Sequence, residues 1–317
     1  MRDHPTMPVT DTDLERGLAG LRANAAGSEE GVFGPGSAIW QVDREALVFL
    51  GAGRALLMQL AHPWVATAIA EHSTTLADPI GRFHRTFEIV FTLVFGSLDG
   101  ALATSWRLHR RHAAIAGSMP HALGSWLRGA PYLANEVSAL LWVHATLVDT
   151  AIAAYELVLP PLATDVRARY YADSRVLGTL FGIPLEAQPP DWPAFARYVE
   201  EAIASDRLAV GPAAQSIGAG VLAGAGRLPV PRWYRDVTAG LLPERLRAPF
   251  GLAFGAAERR RAERALAVIR RVYPHLPGRL RHVPPYHEAT ARLAGRRPDF
   301  ATRSLNRLWI GRPRLSP

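Results

Sequence analysis

The stretch YLANEVSALLWVHATLVDTAIAAYE at residues 132–156 decides the fold. Its apolar residues do not alternate. They recur at the spacing of three and four that marks a helix, and on a wheel Val137, Leu140, Leu141, Leu147, Val148, Ala151 and Tyr155 gather around His144. A helix over about 134–159 is predicted, buried along most of its length and carrying a histidine into the core. A membrane span is the competing reading of residues 137–163, but His144, Asp149, Glu156 and Pro160 fall inside it. Each charge or histidine at bilayer depth costs a few kcal/mol, so the segment reads as a core helix. The same holds for residues 47–70, which contain Arg54, His62 and Pro63.

Outward from this helix the periodicity stays helical, and no run shows sustained two-residue alternation closed by hairpin turns. The predicted class is all-α. Helix starts are read at Asp43, at Pro63, at the Asp78-Pro79 pair and at Asp99, with Gly117 as the stop of the last. Further helices are expected near 165–181, 191–206, 257–273 and 299–309. Loops are expected at GIPLEAQPPDWP, RLPVPRW and YPHLPGRLRHVPPYH. Residues 1–30 look loosely ordered, 31–258 form one large helical domain, and 259–317 form a helical extension packed on or near it.

The 317 residues include 49% apolar side chains, ample for a core. There is no cysteine, which excludes disulfide scaffolds, thiolate metal sites, iron-sulfur clusters and covalently attached haem. There is also no lysine, so every basic residue is arginine. Residues 259–317 hold 15 arginines against three acids, while residues 1–258 hold 21 against 25. The tail therefore reads as a solvated appendage, with peripheral contact to anionic lipid as its alternative; few interleaved aromatics and no recognisable module argue against nucleic acid. The first residues lack the apolar core of a secretory signal, which makes the cytoplasm the expected location.

Several motifs are missing. No glutamate has a histidine three residues later, so a carboxylate-bridged di-metal bundle is set aside. H-E-x-x-H and G-x-S-x-G are absent. GAGVLA at residues 218–223 matches the glycine pattern of a dinucleotide site but lacks the preceding strand, so small-residue packing accounts for it better.

WRLHRRHAAIAG at residues 106–117 presents two histidines among three arginines. With His112 set at zero on a wheel, Ala101, Ser105, Leu108, Ile115 and Ala116 lie within about 60° of it, while Arg107 and Arg110 point away. His109 falls about 60° round, at the edge of that inward face, and Arg111 about 100° the other way. His112 is thus placed to enter a pocket and His109 to flank it. A buried imidazole such as His112 or His144 needs a hydrogen-bond partner or a metal. On the helix opening at Pro79, Arg82, Arg85 and Thr86 share one side, opposite a stripe of Phe83, Phe87, Val90, Phe91 and Val94. The wheel favours a solvated face for the arginine side, although Ile89 and Leu93 continue it, as though its far end were covered.

Together the stretches GPGSAIW (34–40), RALLMQLAHPWVATAIAEHS (54–73), DPIGRFHRT (78–86), LHRRHAAIAG (108–117), the segment 132–156 and YYADSRVLGTLFGIP (170–184) resemble the MpaB-type/rubber oxygenase (latex clearing protein-like) catalytic-domain family. The resemblance covers about half of the chain, in the same order. It implies a globin-related helical core holding haem b, with dioxygen used to cleave double bonds of isoprenoid-like lipophilic chains. By position it implies His112 as the axial ligand of haem iron, His109 and His144 as neighbouring cofactor-binding histidines, and Arg82, Arg85 and Thr86 as the distal catalytic group. The family's lysine is replaced here by Arg85; a guanidinium keeps its proton and has no lone pair to offer iron. The expected function is a haem-dependent oxygenase, against two alternatives: a haem- or apolar-ligand-binding protein without turnover, and a metal-free helical protein in which both histidines are satisfied core residues.

Overall fold

The computed structural model describes residues 7–25, 27–73, 78–224 and 229–317. Residues 1–6 of the expected N-terminal segment and the start of the RLPVPRW loop lie outside these. Among the described residues there are sixteen α-helices and a single pair of short strands, an all-α domain as the periodicity predicts.

The chain opens with a correction. Residues 11–24, expected to be loosely ordered, form helix α1 (Asp11–Asn24). Thr10 and Asp13 cap each other reciprocally at its start, and Leu14 and Leu18 are buried. The second correction concerns Asp43, which closes α2 (Ala38–Asp43) instead of opening a helix. A 3-10 turn over Ala46–Gly51 follows, and α3 (Ala52–Leu60) runs on from it.

Pro63 does open α4 (Pro63–His72), and Asp78 caps α5 (Pro79–Phe95) through the Gly81 N–H. The cap of α6 (Leu98–Ala113) is Ser97, two residues before the expected Asp99. Gly117 does not end α6. It sits in β1 (Ala116–Ser118), paired antiparallel with β2 (Pro131–Leu133), each too short to leave an alternating pattern. The remaining helices are α7 (Val137–Glu156), α8 (Thr164–Leu180), α9 (Trp192–Ala204), α10 (Pro212–Leu222), α11 (Arg232–Leu241), α12 (Glu244–Arg247), α13 (Ala256–Val272), α14 (Gly278–Arg281), α15 (Pro284–Leu293) and α16 (Phe300–Ile310).

Helix α7 is the central element. Residues Val137–Val158 are long and apolar enough to cross a membrane by length and composition, and 61% of the most apolar window is buried inside the domain. One side packs on α2 and α8 in a core built around Trp40, Phe95, Leu180 and Ile183. The other packs on α3, where the Trp142 indole N–H donates to the Met58 carbonyl at 3.0 Å. GAGVLA lies in and just beyond α10, and Gly218 is there for packing, since a Cβ would meet the Leu57 side chain at 3.0 Å. Helices α15 and α16 return to pack on α5, which brings the arginine-rich extension against the helix carrying Arg82 and Arg85.

Asp43 has a consequence for stability. It accepts the Tyr170 hydroxyl at 3.0 Å, yet burial pushes its carboxyl up to about 7, with Asp173 adding to the rise and Tyr170 opposing it. Between the ordinary value near 4 and that raised value the folded chain holds a proton the unfolded chain has lost. This contribution to stability is full at low pH and declines as pH rises from about 4 to 7, by at most about 1.4 kcal/mol per unit. Asp43→Asn is expected to flatten the fall of thermal midpoint between pH 5 and pH 7.5. Parallel melting curves for the two proteins check it.

Candidate functional site

A mostly apolar cavity lies where α4, α5, α6, α7 and the β1–β2 pair meet, with a volume of about 250 Å³. It brings together five of the six predicted site residues: Arg82, Arg85 and Thr86 from α5, His112 from α6 and His144 from α7. The arginine side of α5, which its spacing favours as a solvated face, is therefore a cavity wall. Leu93, further along α5, is fully buried, as the sequence suggests, while Ile89 and Val90 both turn into the cavity. Val90 thus leaves the expected core stripe. Phe83, Phe87 and Phe91 instead run as a ladder against Phe49, with Phe83 still 37% exposed at its end.

The sixth residue, His109, is not part of the cavity. It is more deeply buried than the wheel predicts, but beneath α1, with Nε2 2.8 Å from the Asp11 carboxylate and the Trp106 ring edge-on at 6.1 Å. The wheel placed it at the margin of the inward face because it took no account of α1. His109 holds the N-terminal helix to α6.

His112 and His144 share one electrostatic state. Burial draws the His112 imidazole down to about 4, and the charges of Arg111 and His109 push in the same direction. Burial also draws His144 down to about 4, opposed by the Ser174 carbonyl. Both rings are neutral at pH 7, so each has a nitrogen with a lone pair. His144 is 3% exposed, and although the Ser174 carbonyl is near, neither ring nitrogen makes a hydrogen bond of good geometry in the protein. A buried polar group left so costs about 1–3 kcal/mol, which a bound group engaging the imidazole would offset.

Cations gather at the α5–α6 end. Arg82 donates to the Ser73 hydroxyl at 2.5 Å, and Arg85 pairs with Asp78 at 3.2 Å. Burial and the neighbouring Arg111 and Arg85 bring the Arg82 guanidinium down to about 10. Arg111 also lines the cavity; sequence reasoning assigned it no role, although the wheel put it on the side of His112 away from His109.

Tyr132, His72, Gln59 and Trp64 complete the polar and aromatic lining and were likewise missed. The Tyr132 hydroxyl donates to Glu71 and lies 3.2 Å from His72 Nε2. Burial and Glu71 together raise the phenol well above its ordinary range. Its place depends on Gly117, where a Cβ would come within 2.4 Å of the Tyr132 hydroxyl oxygen. That glycine was read as a helix stop; its missing side chain makes room for a tyrosine.

Among the described residues no group of three or more His, Cys, Asp or Glu side chains could hold a bare metal ion. The cavity supplies two neutral imidazoles, an apolar wall and a cationic rim. A tetrapyrrole brings four nitrogens of its own and asks the protein for one or two donors, so the residues present fit that class of group. The family model described as "ER-bound oxygenase mpaB/B'/Rubber oxygenase, catalytic domain" matches residues 39–271, a span containing every residue of this cavity. No curated protein and no solved structure matches the chain.

Proposed function

The chain belongs to the mpaB/rubber oxygenase catalytic-domain family, and from that premise we propose that it is a haem b-dependent oxygenase acting with dioxygen on an alkene-bearing, isoprenoid-like lipophilic substrate. The observation that carries the reading is the convergence of two neutral imidazoles, His112 and His144, and three guanidiniums on one mostly apolar cavity. His112 is the proposed axial ligand. His144 is the second candidate, favoured by its unpartnered nitrogens.

Haem iron, when bound, supplies the dioxygen chemistry that no side chain provides. The residues of the chain contribute the rest. Ile89, Val90, Leu140 and Leu147 hold an apolar chain and exclude water from it. Thr86 and the guanidiniums of Arg82 and Arg85 offer hydrogen-bond donors on one wall. Arg85 cannot act as the family's lysine does, because its guanidinium keeps its proton and has no lone pair to give. Tyr132 keeps its proton at neutral pH and orients it toward Glu71.

The loss of that lysine also favours the second reading, a haem binder without turnover. Haemin titration of the purified protein, followed by oxygen uptake with squalene as the alkene, separates the two. One haemin per chain with a Soret band and alkene-dependent oxygen uptake is the expected result. Haemin left unbound overturns the haem reading; haemin bound without oxygen uptake leaves the binder.

A further inference from the structure

Three arginines line the cavity, and none of its described lining residues is an acid. The wall thus gathers three guanidiniums and contributes no carboxylate of its own. Asp78 is the carboxylate paired with Arg85, and it is also engaged in capping α5. Like charges gathered at a partly buried site cost free energy unless an anion joins them. Arg82 adds to that cost, since it lies in the first turn of α5, where the helix dipole favours negative charge. A guanidinium presents its N–H groups as a fork matched to a carboxylate.

Beside this cationic rim the lining is apolar, formed by Ile89, Val90, Leu140, Val143, Leu147 and Phe181. We propose that Arg82, Arg85 and Arg111 form a carboxylate-binding subsite, taking the acid group of a ligand whose apolar body lies along that wall. The inference rests on the reading of this cavity as the cofactor and substrate site. Two ligands carry such a carboxylate there: an unsaturated lipid acid through its head, and a haem through its propionates.

The test uses the full-length protein, with Arg82→Gln and Arg111→Gln and four probes. Arg111 is exposed at the last turn of α6, so its variant is expected to fold; far-ultraviolet dichroism and the melting midpoint verify this for both. cis-Parinaric acid is compared with its methyl ester by fluorescence, and haemin with its dimethyl ester by absorbance. The subsite predicts that at least one acid binds about 10-fold or more tightly than its ester, and that each variant weakens acid binding more than ester binding and so removes most of that preference. Discrimination in the parinarate pair assigns the subsite to a lipid acid; discrimination in the haemin pair alone assigns it to the cofactor. Acid and ester binding alike in both pairs, or a preference that survives both substitutions, overturns the proposal. The parinarate arm remains decisive where haemin is not taken up, so failure of the haem reading is told apart from failure of this one.

Discussion

His112→Gly is expected to abolish the Soret band of protein mixed with equimolar haemin, weakening binding by about 100-fold or more, equivalent to about 2.7 kcal/mol. Burial holds the His112 ring neutral at pH 7, so the lone pair needed for an iron bond is available without a deprotonation cost. The side chain lies in the last turn of α6, where glycine costs the helix about 1 kcal/mol, too little to unfold a domain of this size. The space left at the cavity wall admits free imidazole, and adding it is expected to restore the band. His109→Asn serves as the control. Its partner is Asp11 and it does not line the cavity, so haemin uptake is expected to stay as in the parent while α1 loosens. Loss of the band in His144→Phe with His112→Gly unaffected would transfer the axial role to His144. Uptake unchanged in both would remove imidazole ligation altogether.

Helix α7 is legible in its own sequence because it is apolar on nearly every side and long enough for the period to show. The same logic turned His112 and His144 inward; for Arg82, Arg85 and Thr86 helical spacing gave one shared side but favoured solvent for it, and only the family resemblance put them in the site. What could not be seen was the partner of each face. His109 is inward, as its wheel angle suggests, but inward beneath α1, and α1 was hidden by a polar, alanine- and glycine-rich composition that leaves only Leu14 and Leu18 to bury. Tyr132 was lost for a different reason. Three-residue strands have no period, and the contact that places Tyr132 is long-range, a missing Cβ at Gly117. Arg111 was legible as an angle but not as a wall, because α5 approaches α6 from a direction that no local pattern encodes.

Replacing Arg281 with methionine is expected to cost about 3 kcal/mol of stability and to lower the melting midpoint by roughly 5 °C. Glu45 is 1% exposed and takes Arg281 as a two-pronged partner, Nε at 2.7 Å and Nη2 at 3.0 Å, with the Tyr273 hydroxyl at 2.9 Å. Removing the guanidinium leaves a carboxylate buried without its principal counter-charge; Arg44 at 3.7 Å and His282 at 3.6 Å are too distant to replace two direct hydrogen bonds. The cost sits at the low end of the range for broken buried pairs because Arg281 itself is 26% exposed. The double variant Glu45→Met, Arg281→Met is expected to recover much of the loss, since a buried pair exchanged for apolar groups is often neutral; a double-mutant cycle reads the coupling. This junction matters beyond stability. Glu45 precedes the 3-10 turn that carries Phe49, and Phe49 packs on Phe83 and Phe87, across α5 from the arginines of the cavity. A loosened turn is therefore expected to weaken ligand binding at the cavity by a few-fold, an effect the double variant reverses together with the melting midpoint. A single variant that costs less than about 1 kcal/mol would mean that water reaches Glu45 and that the pair does not hold the junction.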